Sequence, residues 1–306
     1  LVRKEGISGP DWKSLMMESE QNSNPRSFIG HMISLNLPNT IFVDNTPSDE
    51  VSSLYEGVLE RSISIVTSNK LAASSSFENY SRLKRTAIRK RVHFGFGSNV
   101  GAGLPVIHTM ANMVRTGDMI MRIDAVLSGS VNYIFNNYSN GKRFSESVLQ
   151  AVENGFTEPD PLTDLRGEDI IRKLLILIRE SGFHLEASEI TFENYLPVPL
   201  PEKYEPGLFL LQMREFDDYF EKQRDDLSCQ NKRIRIIACY EEGKASIRPE
   251  RIGPDHPFYY LEGNDNIVSV FSERYSQHPL IIKCAGAVAD VTAAGIFADI
   301  RSSVNT

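Results

Sequence analysis

The sequence at residues 155–173 is GFTEPDPLTDLRGEDIIRK, and it continues directly into LLILI at 174–178. Charged side chains crowd the first of these stretches and are absent from the second. This change predicts a polar loop that leads into a helix whose C-terminal half is buried on nearly every side. Asp169 and Lys173 are four residues apart, so on a helix they share one face.

Two prolines shape the approach to this helix. Pro159 and Pro161 fix their own backbone and disfavour helix before them. We therefore expect Glu158 and Asp164 to be held on a defined turn rather than on a flexible arm. Three carboxylates and a lysine beside an apolar helix are costly to remove from water unless they serve each other or a ligand. An ordinary ion pair on a solvated helix is the alternative, and residue types alone do not decide between the two.

Composition argues against several classes of protein. The chain has 306 residues and a net charge of −7, with acidic and basic residues mixed throughout. No strongly basic cluster, membrane-length apolar run or signal peptide is recognisable, so neither nucleic acid nor a membrane is expected as a partner. Cys229, Cys239 and Cys284 form neither a disulfide framework nor a zinc spacing, which predicts a reduced, cytoplasmic protein. Because the sequence starts LVRKEG, we expect a piece of a longer chain.

Strands and helices alternate in the opening third of the chain. Three short apolar runs suit buried parallel strands. They are residues 40–44, 62–67 and 92–96. The pattern predicts a doubly wound, Rossmann-like parallel sheet in a nucleotide-binding domain over residues 1–118. Ligands of such sheets bind beyond the carboxyl ends of the strands, where Thr46, Asn69 and Lys70 fall. A solvated loop lysine is the alternative for Lys70.

The middle of the chain has a different pattern. Residues 121–128 alternate like a strand with one solvated face, and residues 233–248 predict a hairpin. Strands at 266–271 and 279–283 complete an α+β substrate and dimerisation domain, with a mixed or antiparallel sheet, over residues 119–283. We expect residues 266–271 to be a long edge strand, whose open edge must be covered by another part of the protein. We therefore expect a homodimer formed through this domain.

Small residues mark two further places. Gly101 and Gly103 lack the third glycine of a dinucleotide fingerprint, so bare backbone there suits a bound ion, a ligand or a close helix crossing. Residues 284–306 predict a loop of small residues and a C-terminal helix that returns to the nucleotide-binding domain. The start of this helix suits either an anion such as a pyrophosphate or close helix-to-sheet packing, and both alternatives stay open.

Five motifs occur in the order and spacing of homoserine dehydrogenases, which the chain therefore resembles along nearly its whole length. They are NVGAGLP at 99–105, LSGSVNYIF at 127–135, GFTEPDP at 155–161, DxxxK at 169–173 and DVTAAG at 290–295. The resemblance implies interconversion of L-homoserine and L-aspartate 4-semialdehyde with NADP or NAD, in the aspartate pathway to threonine, methionine and isoleucine. The sequence of residues 264–275 resembles the dehydrogenase half of bifunctional aspartokinase/homoserine dehydrogenases more than it resembles the single-function enzymes. This resemblance implies fusion to an aspartokinase domain.

The resemblance also implies roles for single residues. Lys173 corresponds to the catalytic lysine beside the reacting oxygen and Lys70 to a second lysine between cofactor and substrate; which of them accepts the proton stays open. The residues expected at the substrate are Glu158, Asp164, Asp169, Gly129, Ser130, Tyr133 and Thr157. Those expected at the cofactor are Thr46, Asn69, Lys70, Gly286 and Thr292. Val100 and Ala102 correspond to backbone ligands of a monovalent cation, Na⁺ or K⁺.

Four places depart from the family pattern. Gly97 replaces a usual Glu before the cation loop, Phe156 a usual Tyr, Leu162-Thr163 a common Arg-Asp, and Val288 a usual Gly. These departures leave the lysines and carboxylates intact. The family's first strand and Gly-rich pyrophosphate loop are expected before Leu1. The rival hypothesis is a degenerate homologue that binds a small amino acid or mediates subunit contacts without turnover.

Overall fold

The computed structural model describes residues 6–7, 9, 11–17, 24–286 and 289–304. The opening residues 1–5, and Ala287 and Val288 of the small-residue loop, lie outside the described residues. In the part of the chain that is described, no helix combines the length and the apolar character needed to cross a bilayer. A parallel sheet and a mixed sheet are packed with helices, which confirms the predicted α/β fold.

The first sheet has three parallel strands in the order β1-β2-β3. They are β1 (Ile41–Asp44), β2 (Ser64–Thr67) and β3 (Phe94–Gly95). The helices in this part of the chain are α1 (Trp12–Met17), α2 (Pro25–Leu35), α3 (Asp49–Ser53), α4 (Tyr55–Glu60), α5 (Phe77–Lys90) and α6 (Val106–Arg115), and α4 and α5 pack directly against the sheet. All three predicted strands are confirmed. The third is short because the chain leaves the sheet in a 3-10 turn at Gly97–Asn99.

The second sheet has six strands in the order β5-β7-β6-β4-β8-β9. They are β4 (Ile120–Val126), β5 (Ile190–Phe192), β6 (Arg233–Glu241), β7 (Lys244–Ile252), β8 (Asn266–Ser272) and β9 (Leu280–Cys284). The pairing of β5 with β7 is parallel and the other pairings are antiparallel, so the sheet is mixed as predicted. The expectation that β8 is an edge strand was wrong, because β9 folds back along it and β8 pairs on both sides.

Six helices lie on the inner side of the six-stranded sheet. They are α7 (Gly129–Ser139), α8 (Phe144–Glu153), α9 (Pro161–Leu165), α10 (Glu168–Glu180), α11 (Pro206–Glu215) and α12 (Asp217–Cys229). Of these, α7 and α10 pack directly against β6, and the others pack against these helices or against α8. Helices α11 and α12 were not predicted from the sequence. Nor was the start of α9 at Pro161, although proline is well tolerated at the first position of a helix, where its missing N–H is not needed. Asp164 therefore lies on a short helix.

The apolar half of α10 is the centre of the core. The side chains of residues 174–178 are completely buried, as the sequence predicted. One continuous cluster of buried side chains extends from Ile29 to Val270 and contains residues of both sheets. The division of the chain at residues 118 and 283 therefore stays a prediction.

A second, smaller cluster lies on the outer face of the six-stranded sheet, beneath the segment 253–265. Arg235 is 1 % exposed there and donates to the carbonyl oxygens of Phe258, Tyr259 and Leu261. Burial lowers the pKa of Arg235 to about 10, which still leaves the guanidinium charged at neutral pH. This buried cation fastens the segment to the sheet.

The C-terminal helix α13 (Ala289–Val304) packs across the parallel sheet and the turn that follows β3. A side chain on Gly103 would collide with the carbonyl oxygen of Val291, and a Cβ on Gly295 would lie 2.8 Å from the carbonyl oxygen of Ala102. Of the alternatives for the glycine-rich turn, the structure supports a close helix crossing at Gly103.

Asp299 of α13 fastens this crossing. Its carboxylate is fully buried and accepts hydrogen bonds from the N–H of Gly97 at 2.8 Å and from Nε2 of His108 at 2.7 Å. The hydrogen bond to Asp299 raises the pKa of His108. The turn after β3 is thus tied to the far end of the chain.

We expect Gly103→Ala to destabilise the protein by about 1–3 kcal/mol, because the added methyl group must push α13 away from the turn. Gly57→Ala is the matched control, since Gly57 lies within α4 and a Cβ there meets nothing within 4 Å. The control should be neutral or should stabilise by up to about 1 kcal/mol. Chemical unfolding of both variants measures the difference, and equal stabilities would contradict the proposed close packing.

Candidate active site

A cleft of about 750 Å³ lies beyond the carboxyl ends of β1 and β2 and beside the turn from β4 into α7. The loop before α9, the start of α10 and the start of β8 complete its wall. Most of the site residues predicted from the sequence line this cleft. They are Thr46, Asn69, Lys70, Ala102, Gly129, Ser130, Thr157, Glu158, Asp164, Asp169, Lys173 and Thr292.

The carboxylate of Asp169 lies between two lysines. Its Oδ2 is 2.6 Å from Nζ of Lys173, and its Oδ1 is 3.2 Å from Nζ of Lys70. Lys173 also donates to the carbonyl oxygen of Leu127 at 2.9 Å. The side chains of Asp169, Lys173 and Lys70 are only 9 %, 12 % and 23 % exposed. The alternative of a solvated helical ion pair therefore does not describe this cluster.

The charges of the cluster control one another's protonation. Burial alone raises the pKa of Asp169, but the two lysines outweigh it and hold this pKa well below its usual range. Burial lowers the pKa of Lys70, but the negative charges of Asp169 and Glu158 outweigh it, so the net shift is upward. Asp169 and Lys70 are therefore both charged at neutral pH.

Asp164 lies in a less polar environment. Ser130 donates to its Oδ1 at 2.6 Å, and the backbone N–H of Glu158 donates to its Oδ2 at 2.8 Å. The hydroxyl of Ser128, which caps α7 by accepting from the N–H of Val131, is 2.9 Å from the hydroxyl of Ser130. Burial raises the pKa of Asp164 to about 6, although both hydrogen bonds work in the other direction. This carboxyl group therefore titrates near neutral pH.

The ends of β1 and β2 are joined by the buried carboxylate of Asp44. Asn69 donates to it at 3.1 Å through Nδ2, and the N–H of Thr46 donates to it at 2.8 Å. Tyr55 donates to the same carboxylate at 2.6 Å. These bonds fix the loops that carry Thr46, Asn69 and Lys70 into the cleft.

The loop after Lys70 is fastened a second time by α10. The side chain of Arg179 is fully buried and donates to the carbonyl oxygens of Ala73 at 3.0 Å and Ser75 at 2.6 Å. It also pairs with Glu186 at 3.0 Å. The helix that carries Asp169 therefore holds the loop of Lys70 at two separate points.

Some predicted site residues lie outside the lining of the cleft. They are Tyr133, Val100 and Gly286. The ring of Tyr133 packs edge-on against Phe156, with 4.8 Å between ring centroids, and so supports a residue of the lining. Val100 is completely buried. A side chain on Gly286 would collide with the carbonyl oxygen of Asn264, so this glycine permits two backbone segments to lie against each other.

Several residues that shape the cleft were not predicted from the sequence as site residues. Asn264, Asn266 and Arg172 line it, and Arg179 holds one of its loops. Arg172 and the two asparagines lie in stretches that the sequence had already singled out, but no spacing distinguished them from their polar neighbours, and Arg179 follows an apolar run without any periodic signal.

The monovalent cation expected at the turn of residues 97–102 stays a prediction. Val100 and Ala102 offer backbone carbonyls, but Gly97 has no side chain, and both carboxylate oxygens of Asp299 already accept hydrogen bonds. Among the described residues, no group of three or more His, Cys, Asp or Glu side chains could hold a metal ion. We therefore derive no chemical step through a cation.

Comparison with known proteins places these features in a family. A sequence model of the family described as homoserine dehydrogenase matches residues 105–300. A chloroplastic bifunctional aspartokinase/homoserine dehydrogenase of Arabidopsis thaliana is 36 % identical over 303 residues, which are 98 % of this chain and 33 % of that protein. The homoserine dehydrogenase of Schizosaccharomyces pombe is 35 % identical over 301 residues, 96 % of this chain and 80 % of that protein. The chain thus spans about a third of the bifunctional relative and most of the separate enzyme.

Solved structures agree with these matches. A Candida auris protein of unknown function is 34 % identical, with a TM-score of 0.85 over 96 % of this chain and 84 % of that one. A hyperthermophilic archaeal homoserine dehydrogenase in complex with NADPH is 27 % identical, with a TM-score of 0.70 over 93 % of this chain and 76 % of that one.

Asp164 should link stability to pH. Its pKa of about 6 exceeds the ordinary value of 3.8, so folding favours the protonated form. The stability that this proton contributes is present in full below the unfolded pKa and is lost as the pH rises through the folded pKa. We expect Asp164→Asn to lack this loss, so that wild type weakens relative to the variant by about 1–3 kcal/mol between about pH 4 and pH 7.

Urea unfolding of both proteins across this pH range measures the difference in the free energy of unfolding. Curves of stability against pH that stay parallel for wild type and Asp164→Asn would show that Asp164 is not the titrating group.

Proposed function

Because this chain belongs to the homoserine dehydrogenase family, we propose that it interconverts L-homoserine and L-aspartate 4-semialdehyde with NADP or NAD as the cofactor. The observation that carries the proposal is the buried carboxylate of Asp169, which holds Lys70 and Lys173 together in the cleft. This reaction would place the protein in the aspartate pathway to threonine, methionine and isoleucine.

The two lysines suit the oxygen that changes between hydroxyl and carbonyl. In aldehyde reduction, an ammonium group beside this oxygen stabilises the developing negative charge and supplies a proton; in alcohol oxidation the same nitrogen accepts it. Lys173 is fixed by two acceptors, Asp169 and the carbonyl oxygen of Leu127, so we propose that it orients the oxygen. Lys70 shares the same carboxylate, so loss of a proton from one lysine is coupled to the other.

The remaining carboxylates suit the amino group of the substrate. Glu158 and Asp164 line the cleft together, and the backbone N–H of Glu158 donates to Asp164. We propose that these two carboxylates hold the substrate ammonium, with Thr157, Gly129 and Ser130 beside them. Tyr133 acts through Phe156, against which its ring packs.

The cleft also suits a nicotinamide cofactor, which supplies or accepts the hydride in this reaction. It lies beyond the carboxyl ends of parallel strands, which is where dinucleotides bind in such sheets. We propose that Thr46, Asn69, Lys70 and Thr292 contact the cofactor and that Gly286 shapes the wall behind Asn264. NADPH in the archaeal relative supports the phosphorylated form, and the lining residues leave NADP and NAD both open.

The assembly is a further part of the proposal. We propose a homodimer formed through the six-stranded sheet. Its edge strand β9 exposes Ile281 by 45 %, and its outer face carries Arg122 paired with Asp124 at 2.7 Å and stacked on Phe271. Relatives include both fused and separate enzymes, so fusion to an aspartokinase domain stays a prediction, as does a cytoplasmic location.

The assay is the loss of reduced nicotinamide absorbance when the full-length protein is mixed with aspartate semialdehyde and NADPH or NADH. We expect turnover with at least one cofactor. A well-folded preparation that turns over with neither would overturn the proposal and favour the rival, a degenerate homologue that binds without turnover.

Lys173→Met should lower kcat by about 10²-fold or more, because it removes the ammonium group while keeping a similar length and apolar volume. Lys90→Met is the matched control. Lys90 lies on α5, away from the cleft, and pairs with Glu60 at 3.2 Å. Its replacement should leave kcat unchanged. Melting curves of both variants test folding. An unchanged kcat in Lys173→Met, with a small loss of stability, would mean that the lysine is structural.

Sedimentation of this chain at micromolar concentration should give twice its mass of 34.4 kDa. For the full-length protein, it should give twice the mass of the full-length subunit. Ile281→Lys places a charge on the exposed edge strand and should shift the protein toward monomer. Ile88→Lys, at a 76 % exposed position on α5, should not. A clean wild-type monomer would contradict the proposed dimer.

A further inference from the structure

One polar side chain in the wall of the cleft has a buried oxygen without a hydrogen-bond partner among the described residues. Asn266 is the first residue of β8, is 5 % exposed and lines the cleft. Its Oδ1 is buried and makes no hydrogen bond within the described part of the chain. Among the described residues that have such an unpaired buried atom, Asn266 is the one that lines the cleft. Buried amide oxygens are almost always paired, so an unpaired one in the wall of the cleft is available to a donor group of a ligand.

The surrounding backbone holds Asn266 in place. The segment before it is fixed by two asparagines of α7, since Asn132 donates to the carbonyl oxygen of Asp265 at 2.9 Å and Asn136 donates to that of Gly263 at 2.8 Å. On the far side, β9 pairs Cys284 with Asn266. The backbone that carries the amide is therefore fixed before any ligand arrives, which favours specific recognition.

The position of Asn266 is next to the groups proposed for the chemistry. The antiparallel pairing of β4 with β8 ends with Val126 opposite Ile267. The next residues along the two strands are Leu127 and Asn266, so these two lie side by side. The carbonyl oxygen of Leu127 holds Nζ of Lys173. Asn266 thus lies at the junction between the turn proposed for the substrate and the segment that leads through Cys284 to α13.

We propose that the side-chain amide of Asn266 recognises the carboxamide group of the nicotinamide ring. This inference rests on the proposed function and adds to it the residue that selects the reactive end of the cofactor. A primary amide suits another primary amide, because each offers one oxygen acceptor and one NH₂ donor. The charged ends of an amino-acid substrate are better matched by the carboxylates and lysines already in the cleft.

The test uses a cofactor analogue in which the NH₂ of the carboxamide is replaced by a methyl group, 3-acetylpyridine adenine dinucleotide phosphate. Dissociation constants for it and for NADP are measured by calorimetric titration of wild type, Asn266→Leu and Ser269→Ala. Leu has a similar volume and cannot hydrogen-bond. Ser269 is the matched control, because its hydroxyl is also buried and unpaired on β8 but faces the opposite side of the sheet.

Wild type and Ser269→Ala should bind NADP about tenfold more tightly than the analogue, because the buried oxygen loses its donor in the analogue complex. Asn266→Leu should bind NADP about tenfold more weakly than wild type and should no longer distinguish the two ligands, while its KM for homoserine stays within about twofold. Asn266→Ser, which is smaller and polar, serves if the Leu variant does not fold.

Equal discrimination between the two ligands by wild type and a folded Asn266 variant would overturn the inference, as would the absence of any nicotinamide binding. Failure of the proposed function looks different: wild type would bind NADP without turning over homoserine or aspartate semialdehyde. The titrations would then still decide the role of Asn266.

Discussion

The carboxylate of Asp169 lies between two lysines, one from its own helix and one from a distant loop, and the arrangement of the molecule follows from the need to hold them together. Lys70 comes from the loop after the second parallel strand, whereas Lys173 lies one turn further along the same helix as Asp169. A partly buried group of two positive charges and one negative charge is stable only where geometry and hydrogen bonding are well fixed. That demand explains why the helix beneath it is so deeply buried.

The helix α10 meets this demand at both of its ends. Near its start it carries Asp169 and Lys173, and near its end it carries Arg179, which holds the carbonyl oxygens of Ala73 and Ser75. Between these points its side chains are fully buried, so the helix cannot tilt without disturbing the core. The loop of Lys70 is consequently set by the position of one rigid element, although it belongs to the other sheet.

Local patterns in the sequence were enough for much of this fold. The parallel strands, the buried helix and the pair Asp169 and Lys173 all depend on neighbours within a few residues, which periodicity and composition report directly. The second contact of Asp169, with Lys70, depends on how two sheets pack, and no local pattern encodes it. The misplaced edge strand has the same cause, because the partners of β8 are decided by where β9 returns. Arg179 was not predicted because an isolated polar residue carries no period, and Asn266 was not predicted as a site residue because its role depends on how β8 lies against the cleft.

The contact between Asp299 and Gly97 has a consequence for how the chain folds. These residues are 202 positions apart, yet the hydrogen bond between them completes the turn that follows the last strand of the parallel sheet. During synthesis on the ribosome, the parallel sheet is made well before α13. The hydrogen bond from Gly97 to Asp299 therefore cannot form until the whole second sheet has been made. Closing so long a loop slows folding, and the face of the parallel sheet that α13 covers stays exposed until that helix is made.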